Sequence, residues 1–427
     1  MPALPDARKR GNNLKEKGYD RNYLSLVMEG TLFTGGVTIL ATGGAMALFI
    51  NAMTGSNTLI GLAVTLQTLA SSFGQLFGAP LVNTIRKLPE TSSKIMLVQR
   101  ITPLLMAVPL FLGAPPYWSV TIFFVLFFVF WFMDGLTTIS WGELCARAVK
   151  FELRGHMMGV LTSVGGVLSL VVGLVLAWLL ATPTLNDNLR FGWIFVLACV
   201  LLMLSVIFIW IVRDPSPLEK PEKYNIKQFY ANVPSIVRTS KPFQHVLIAR
   251  IPSFVGFASL SFLIVFGANV LLLSDAHVSW LVYANIIGGI LGGVLLGEAS
   301  RRYGNKSVIL WSNFGVVIAM AMAVLLAFYP DLGYLWLFAL CVLGSVTASN
   351  WFGYLNYFID IAPEKERPEY QIIGQSIAIP FSFAGVAMGA LVDIYGYVTM
   401  FIVCGVFALL AILLSLRLLS KREIAGV

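Results

Sequence analysis

Residues 118–144 read WSVTIFFVLFFVFWFMDGLTTISWGEL, an apolar stretch that carries two ionisable side chains, Asp134 and Glu143. A helix that crosses the hydrocarbon core of a bilayer needs about 20 predominantly apolar residues, so this stretch predicts a transmembrane helix. Similar stretches recur along the chain. The twelve predicted spans are 24–51, 57–83, 94–113, 118–144, 157–181, 190–212, 244–272, 278–299, 307–328, 334–360, 371–394 and 397–418.

The composition of the whole chain indicates a polytopic membrane protein of the all-α class. Of the 427 residues, 58% are hydrophobic and 12% are charged, and the mean hydropathy is +0.82. A soluble domain of this length cannot bury that much apolar surface, whereas lipid accommodates it. The net charge of +8 comes from cations that border the spans, where they meet lipid headgroups, so it does not indicate nucleic-acid binding.

The Lys and Arg residues are distributed unequally between two alternating sets of loops. All of the 29 except Arg100, Arg190 and Arg250 lie in the N-terminal tail, in the loops that follow even-numbered spans, or near the C-terminus. Because flanking cations of short loops stay in the cytoplasm, both termini are predicted to be cytoplasmic, with the protein in the plasma (inner) membrane. No short apolar core with a cleavage site follows the basic N-terminus, so we predict no removable signal peptide.

One long polar segment separates the first six spans from the last six. Within it, residues 224–238 can form a short interfacial helix that carries Tyr224, Phe229 and Tyr230. A plain tether is preferred to a regulatory docking site for this segment. The predicted organisation is an N-terminal tail over 1–23, a six-helix bundle over 24–212, a cytoplasmic linker over 213–243, a second six-helix bundle over 244–418 and a tail over 419–427.

The two halves repeat several features in the same order, which indicates internal duplication. The second span contains a Gly-x-x-x-Gly pair, Gly74 and Gly78, and the eighth contains Gly293 and Gly297. A tryptophan stands at a corresponding place in the fourth and tenth spans. Such glycine pairs let helices approach closely, so we interpret them first as packing devices.

Twelve spans in a six-plus-six repeat, cytoplasmic termini and a long central loop together resemble the major facilitator superfamily. The segment GEASRRYGNK at 297–306 resembles the loop signature Gly-x-x-x-Asp-Arg-x-Gly-Arg-Lys of that superfamily, with matches at Gly297, Arg302, Gly304 and Lys306. Arg301 stands where the signature has its acid, and the first-half copy, GAPLVNTIRK at 78–87, is more degenerate. The resemblance implies two pseudo-symmetric six-helix bundles around a pathway that opens alternately to either side. The fifth span lacks the proline usual in the drug/proton antiporters of the superfamily.

Four ionisable side chains inside spans are candidates for function, namely Glu29, Arg100, Asp134 and Arg250. Each such group costs about 2.5–3.5 kcal/mol on insertion scales, so it usually faces a cavity or a partner. Glu29 and Arg250 lie near the cytoplasmic ends of the first and seventh spans. One hypothesis is that they pair across the pathway in one state and separate in the other, coupled to protonation or to an anionic substrate. The alternative is that each is satisfied within its own half.

One face of the fourth span combines aromatic rings with hydrogen-bonding groups, as a solute pocket does. Its members recur at steps of three and four residues and are Trp131, Asp134, Thr138, Trp141 and Cys145. Asp134 is near the middle of the membrane, where a desolvated carboxylate can bind and release a proton. The alternative for Asp134 is a static ion pair with Arg100 on the third span.

Other polar side chains inside spans have two interpretations. The hydroxyls on the first span either bond to carbonyls of their own helix, which we prefer, or line the pathway. These are Thr31, Thr34, Thr38 and Thr42. Asn350 and Trp351 in the tenth span, with Gln375 in the eleventh, are either substrate contacts or ties between helices.

Signatures of enzymes and metal sites do not emerge from the sequence. The three histidines stand at span ends without metal-binding spacing, and the four cysteines form no Cys-x-x-Cys pair. The prediction is a secondary active transporter that is monomeric and has no cofactor. Its partners are a small organic solute, membrane lipid and, as an option, protons. The alternative is a non-transporting receptor, scaffold or lipid-handling protein built on the same scaffold.

Overall fold

A computed structural model describes residues 7–40, 45–55, 57–82, 84–182, 184–214, 225–272, 275–348, 350–381 and 384–425. In these residues the regular structure is helical. The helices of the first half are α1 (Ala7–Leu40), α2 (Ala45–Thr54), α3 (Asn57–Val82), α4 (Leu88–Phe111), α5 (Pro116–Ala148), α6 (Phe151–Ala181) and α7 (Asp187–Ile211). Those of the second half are α8 (Ile226–Thr239), α9 (Lys241–Ala258), α10 (Phe262–Asn269), α11 (Asp275–Tyr303), α12 (Asn305–Phe328), α13 (Gly333–Ala348), α14 (Asn350–Ile361), α15 (Arg367–Ser376), α16 (Ala378–Phe381), α17 (Ala384–Ser415) and α18 (Lys421–Ala425).

Ten segments of the described chain are long and apolar enough to cross a membrane. The predicted second span coincides with α3, and the predicted eleventh span is divided among α15, α16 and the start of α17. Helix α17 is broken at Gly396, where φ is 80° and ψ is 170°. That conformation favours glycine, and it ends the eleventh span where the sequence predicts a boundary.

Large apolar side chains cover much of the outer surface of these helices. Leu174 in α6 and Leu413 in α17 are among many that lie exposed. Exposed apolar surface on this scale is unfavourable in water and is what lipid contact requires.

The chain divides into two compact units. Unit 1 comprises Met1–Met157 and Leu168–Tyr224, and unit 2 comprises Met158–Val167 and Asn225–Val427. The main division lies inside the polar segment between the sixth and seventh predicted spans. The short stretch of α6 that groups with unit 2 was not predicted from the sequence.

Each unit has its own aromatic core. In unit 1, the Phe49 ring of α2 lies 5.1 Å from Phe123 of α5 and 5.3 Å from Phe195 of α7, measured between ring centroids. In unit 2, the Phe266 ring of α10 lies 5.4 Å from Phe401 of α17. All these rings are fully buried, and their tilted or edge-to-face contacts are the favourable aromatic geometries.

Helices α3 and α5 touch through their backbones. A Cβ atom placed on Gly74 would lie 2.0 Å from the carbonyl oxygen of Phe132, and one on Gly135 would lie 1.9 Å from that of Ser71. Gly78 meets Leu136 of α5 at a similarly short distance. The packing interpretation of the Gly74–Gly78 pair is confirmed, because only a missing side chain permits this approach.

Replacing Gly135 with alanine is expected to force α3 and α5 apart and to lower the free energy of unfolding by about 1–3 kcal/mol or more. The measurement is thermal or denaturant unfolding of the purified protein in detergent. Gly173→Ala is the matched control, because no atom lies within 4 Å of the Cβ position there. The control should be neutral or slightly stabilising, since alanine is the better helix former. Equal losses in both variants would contradict the close-packing argument.

Candidate functional site

A buried ion pair lies inside unit 1. Arg100 of α4 donates from Nη2 to Oε1 of Glu29 on α1 at 2.5 Å, and the two residues are 1% and 2% exposed. Trp141 of α5 donates from Nε1 to the other carboxylate oxygen of Glu29 at 2.9 Å. Arg100 also donates from Nη1 to the hydroxyl of Ser205 on α7. Four helices thus contribute to one polar cluster, the Glu29 cluster, which consists of Glu29, Arg100, Trp141 and Ser205.

The hydrogen bonds of the Glu29 cluster offset part of the cost of burying its charges, although Nε of Arg100 has no hydrogen-bond partner among the described residues. Removing an ion from water costs several kcal/mol even after relaxation, and attraction alone recovers this only when the remaining polar atoms are also bonded. Both carboxylate oxygens of Glu29 accept a hydrogen bond from a different donor. The Arg100 guanidinium further lies 5.2 Å from the centre of the Phe33 ring. The cluster is therefore a specific tie between α1, α4, α5 and α7.

Asp134 on α5 has a neutral partner. Its Oδ1 accepts a hydrogen bond from Nε2 of Gln99 at 3.0 Å, and in the described part of the chain no Lys, Arg or His nitrogen lies within 4.0 Å of its carboxylate. The predicted alternative of a static Asp134–Arg100 ion pair is therefore wrong, because Arg100 is bonded to Glu29. Gln99 and Arg100 are adjacent on α4, and adjacent side chains on a helix point about 100° apart. One consequently reaches α5 and the other reaches α1.

The remaining members of the predicted α5 face separate into different environments. Trp131 is buried in the aromatic core, with its ring 6.1 Å from Phe127 and 5.2 Å from Phe130. Cys145 is also buried, whereas Asp134, Thr138 and Trp141 are half-buried. The hydroxyl of Thr138 donates to the carbonyl oxygen of Asp134 at 2.8 Å, within its own helix. Fewer side chains on this face of α5 are therefore accessible to a solute than the sequence predicts.

Two of the four threonines of the first predicted span follow the preferred interpretation, whereas the buried hydroxyl of Thr31 has no hydrogen-bond partner among the described residues. Thr34 donates to the carbonyl of Gly30 at 2.7 Å, and Thr38 donates to that of Thr34 at 2.8 Å. Thr38 also lies 2.7 Å from the hydroxyl of Ser169 on α6, so it ties two helices together. Thr42 lies outside the described residues.

A second buried arginine, Arg250 of α9, has a different environment in unit 2. It is 6% exposed, and its Nη2 donates to Oε1 of Gln375 on α15 at 3.3 Å. Its Nε and Nη1 have no hydrogen-bond partner among the described residues, and no carboxylate there forms an ion pair with it. The guanidinium carbon lies 5.0, 4.8 and 5.1 Å from the ring centres of Phe254, Tyr354 and Phe358.

The aromatic rings compensate only part of the cost of burying Arg250. A cation–π contact is worth about 0.5–2 kcal/mol. The effective penalty for a buried ion is several kcal/mol, and a ring face does not replace the charged acceptor that a carboxylate offers. Arg250 therefore keeps unused capacity to bind an anion.

The Arg250 cavity has a volume of about 200 Å³ and lies within unit 2. Its walls are Arg250, Ser253, Phe254, Phe257, Ala348, Asn350, Trp351 and Tyr354. On the polar side, Ser253 donates to Oδ1 of Asn313 at 3.0 Å, and Asn350 donates to Ser253 at 3.4 Å. The structure thus brings together three residues that the sequence analysis selected separately, namely Arg250, Asn350 and Trp351.

The hypothesis of a Glu29–Arg250 pair across the pathway stays a prediction. In this structure each residue is bonded within its own unit, Glu29 to Arg100 and Trp141, and Arg250 to Gln375. Gln99 was not among the functional residues predicted from the sequence. A glutamine inside an apolar span, next to an arginine, was the available signal.

The motif at 297–306 covers the end of α11, Gly304 and the start of α12, and it is held by contacts within unit 2. Glu298, one residue after the buried Gly297, pairs with Arg301 at 2.5 Å and also with Arg302. Glu298 thus supplies an acid close to the position where Arg301 departs from the signature. Gly304 has φ of 86°, which lets the chain turn directly into α12.

Basic side chains attach this loop to the C-terminal end of the chain. Lys306 donates from Nζ to the carbonyl oxygens of Leu416 and Leu418 at 2.8 and 2.6 Å. Lys421 of α18 donates to the carbonyl of Arg301 at 2.7 Å. The motif therefore ties the beginning of α12 to the end of α17.

Sequence comparison identifies the family. The model of the Major Facilitator Superfamily matches residues 30–274 and 246–426. The chain therefore belongs to this superfamily. It is an all-helical, multi-pass integral membrane protein with the twelve-helix, two-bundle fold of this superfamily, and it is a transporter rather than an enzyme.

Solved structures show the same fold at low sequence identity. The proton:xylose symporter XylE is 14% identical with a TM-score of 0.75, and the match covers 96% of this chain and 99% of that one. The fucose:proton symporter FucP of E. coli is 14% identical with a TM-score of 0.67, over 93% and 98% of the two chains. A bacterial homologue of the iron transporter ferroportin is 13% identical with a TM-score of 0.70, over 93% and 98%. A search of the curated proteins gives no match.

Proposed function

We propose that this protein is a secondary active transporter that moves a small organic solute across the plasma (inner) membrane by alternating access, with protons as the coupling ion and both termini in the cytoplasm. Membership of the superfamily supports the transport class. XylE and FucP, which share the fold, are described as proton symporters. Their substrates are not transferred to this chain, because fold does not define a substrate.

The observation that carries the proposal is the contrast between two acids of unit 1, the buried Glu29 and the half-buried Asp134. Glu29 is bonded to Arg100, so protonating Glu29 would leave a buried guanidinium without its counter-ion. Asp134 has only the amide of Gln99, which can donate to the carboxylate and equally to the carbonyl oxygen of the protonated acid. Asp134 can therefore gain and lose a proton without breaking an ion pair, which makes it the proton site.

The proposal is tested with the purified full-length protein in proteoliposomes. Small organic solutes are first selected by their effect on thermal stability, and their uptake is then measured with and without an imposed pH gradient. We expect uptake above that of protein-free liposomes, driven by the gradient and abolished by a protonophore. Solutes that stabilise the protein and yet show no flux in either direction would contradict the proposal and favour a receptor or scaffold.

A further inference from the structure

We infer that the Arg250 cavity binds the carboxylate of a small organic anion, and that the transported solute is a small monocarboxylate with an apolar body. This inference rests on the proposed transport function and specifies its substrate class. It concerns unit 2, whereas the proton site lies in unit 1.

The first argument is the unmatched charge of Arg250. Two other arginines with buried side chains have carboxylate partners, since Arg100 pairs with Glu29, and Arg147 pairs with Glu143 at 2.7 Å. Arg250 is also buried, but its hydrogen-bonding neighbour is the neutral Gln375. The hydrogens on Nε and Nη1 have no acceptor among the described residues. An anion in the cavity would supply the acceptor that the protein does not.

The second argument is the chemistry of the cavity wall. Beside Arg250 it presents the rings of Phe254, Phe257 and Trp351. These rings suit the apolar body of a ligand, and a cation would be repelled by Arg250. Asn350 is on the same wall and can present either its carbonyl or its NH₂ after rotation of the amide. The wall therefore favours one ionised group attached to an apolar body.

The third argument is size. The volume of about 200 Å³ is below the range of about 300–1,000 Å³ that is usual for pockets of drug-sized ligands. A small monocarboxylate fits this volume, whereas a large multidrug substrate does not. Trp351 is 45% exposed, so the ring is available to a ligand rather than packed in a core.

The test uses full-length protein in lipid nanodiscs and three probes of matched shape, namely benzoate, benzamide and benzylamine, together with acetate and butyrate. Binding is measured by titration and by thermal shift. We expect benzoate to bind at least tenfold more tightly than benzamide. We expect no binding of benzylamine. Equal affinities for benzoate and benzamide, or no binding of any of the three carboxylates, would overturn the inference.

Variants locate the binding to Arg250. Arg250→Gln should weaken benzoate binding at least tenfold, and Arg250→Lys should retain part of it because the positive charge is kept. Arg238→Gln, which removes an exposed arginine on α8, should bind benzoate as the unaltered protein does. If Arg250→Gln does not fold, Trp351→Leu provides a second test, since it should weaken benzoate binding more than acetate binding. Unchanged benzoate affinity in a folded Arg250→Gln variant would contradict the inference.

The inference and the proposed function can fail separately. Benzoate binding that depends on Arg250, without flux of any solute in proteoliposomes, would support the binding site and contradict transport. Proton-driven flux of a neutral solute that Arg250→Gln leaves unchanged would support transport and overturn the anion site.

Discussion

Arg100→Ala is expected to lower the free energy of unfolding by about 3–5 kcal/mol, because it leaves the Glu29 carboxylate buried without its counter-ion. Glu29→Gln should also be damaging, since it leaves the guanidinium of Arg100 uncompensated. The measurement is denaturant or thermal unfolding of the purified protein in detergent. The Trp141 and Ser205 hydrogen bonds to the pair would be weakened at the same time.

A double variant separates the ion pair from simple loss of packing. Glu29→Gln combined with Arg100→Gln removes both charges, so its cost should be less than the summed costs of Glu29→Gln and Arg100→Gln made singly. Arg190→Gln is the matched control, because it breaks a more exposed pair with Asp187, for which about 0–1 kcal/mol is expected. If Arg100→Ala costs no more than this control, the buried pair does not stabilise unit 1 as described.

Asp134→Asn is expected to abolish proton-driven uptake and to preserve exchange of solute across the membrane. Asparagine keeps the shape of aspartate and can still bond to Gln99, but it cannot take up a proton at this position. Accumulation driven by a pH gradient should fall to the level of protein-free liposomes. Counterflow of labelled against unlabelled solute should continue, because it needs no net proton movement.

The control for this experiment is Asp331→Asn, which changes an exposed acid between α12 and α13. It should leave gradient-driven uptake unchanged. Intact coupled uptake in Asp134→Asn would exclude Asp134 as the proton site. Loss of both uptake and counterflow would show that the residue is needed for binding or folding instead of coupling.

Much of the fold could be predicted because the relevant signals are local. A long apolar stretch such as 118–144 specifies a membrane-spanning helix by its own length and hydropathy. The close approach of α3 and α5 could be predicted from Gly74 and Gly78, since glycines at that spacing expose the backbone of one helix face. The end of the apolar run at residue 394 likewise predicts the boundary between the eleventh and twelfth spans, which the structure places at Gly396.

The partners of the buried polar groups could not be predicted in the same way. The sequence suggests Asp134 as a partner for Arg100 and Arg250 as a partner for Glu29. Testing these pairs requires knowing which neighbour each face of α4 meets. The role of Gln99 could not be predicted either, because its position beside Arg100 in an apolar span does not show which side chain it faces. Its importance follows from facing a carboxylate that lacks a cation.

The sequence by itself determined that this chain crosses a membrane many times as helices, in two related halves, with ionisable side chains at costly positions. These properties depend on residue type and on spacing along one helix. Only the tertiary structure decided that Arg100 pairs with Glu29, that Asp134 keeps a neutral partner, and that Arg250 meets Asn350 and Trp351 at one cavity. The physical reason is that pairing depends on the rotation and packing of whole helices, and residues far apart in the chain meet only when those helices are assembled.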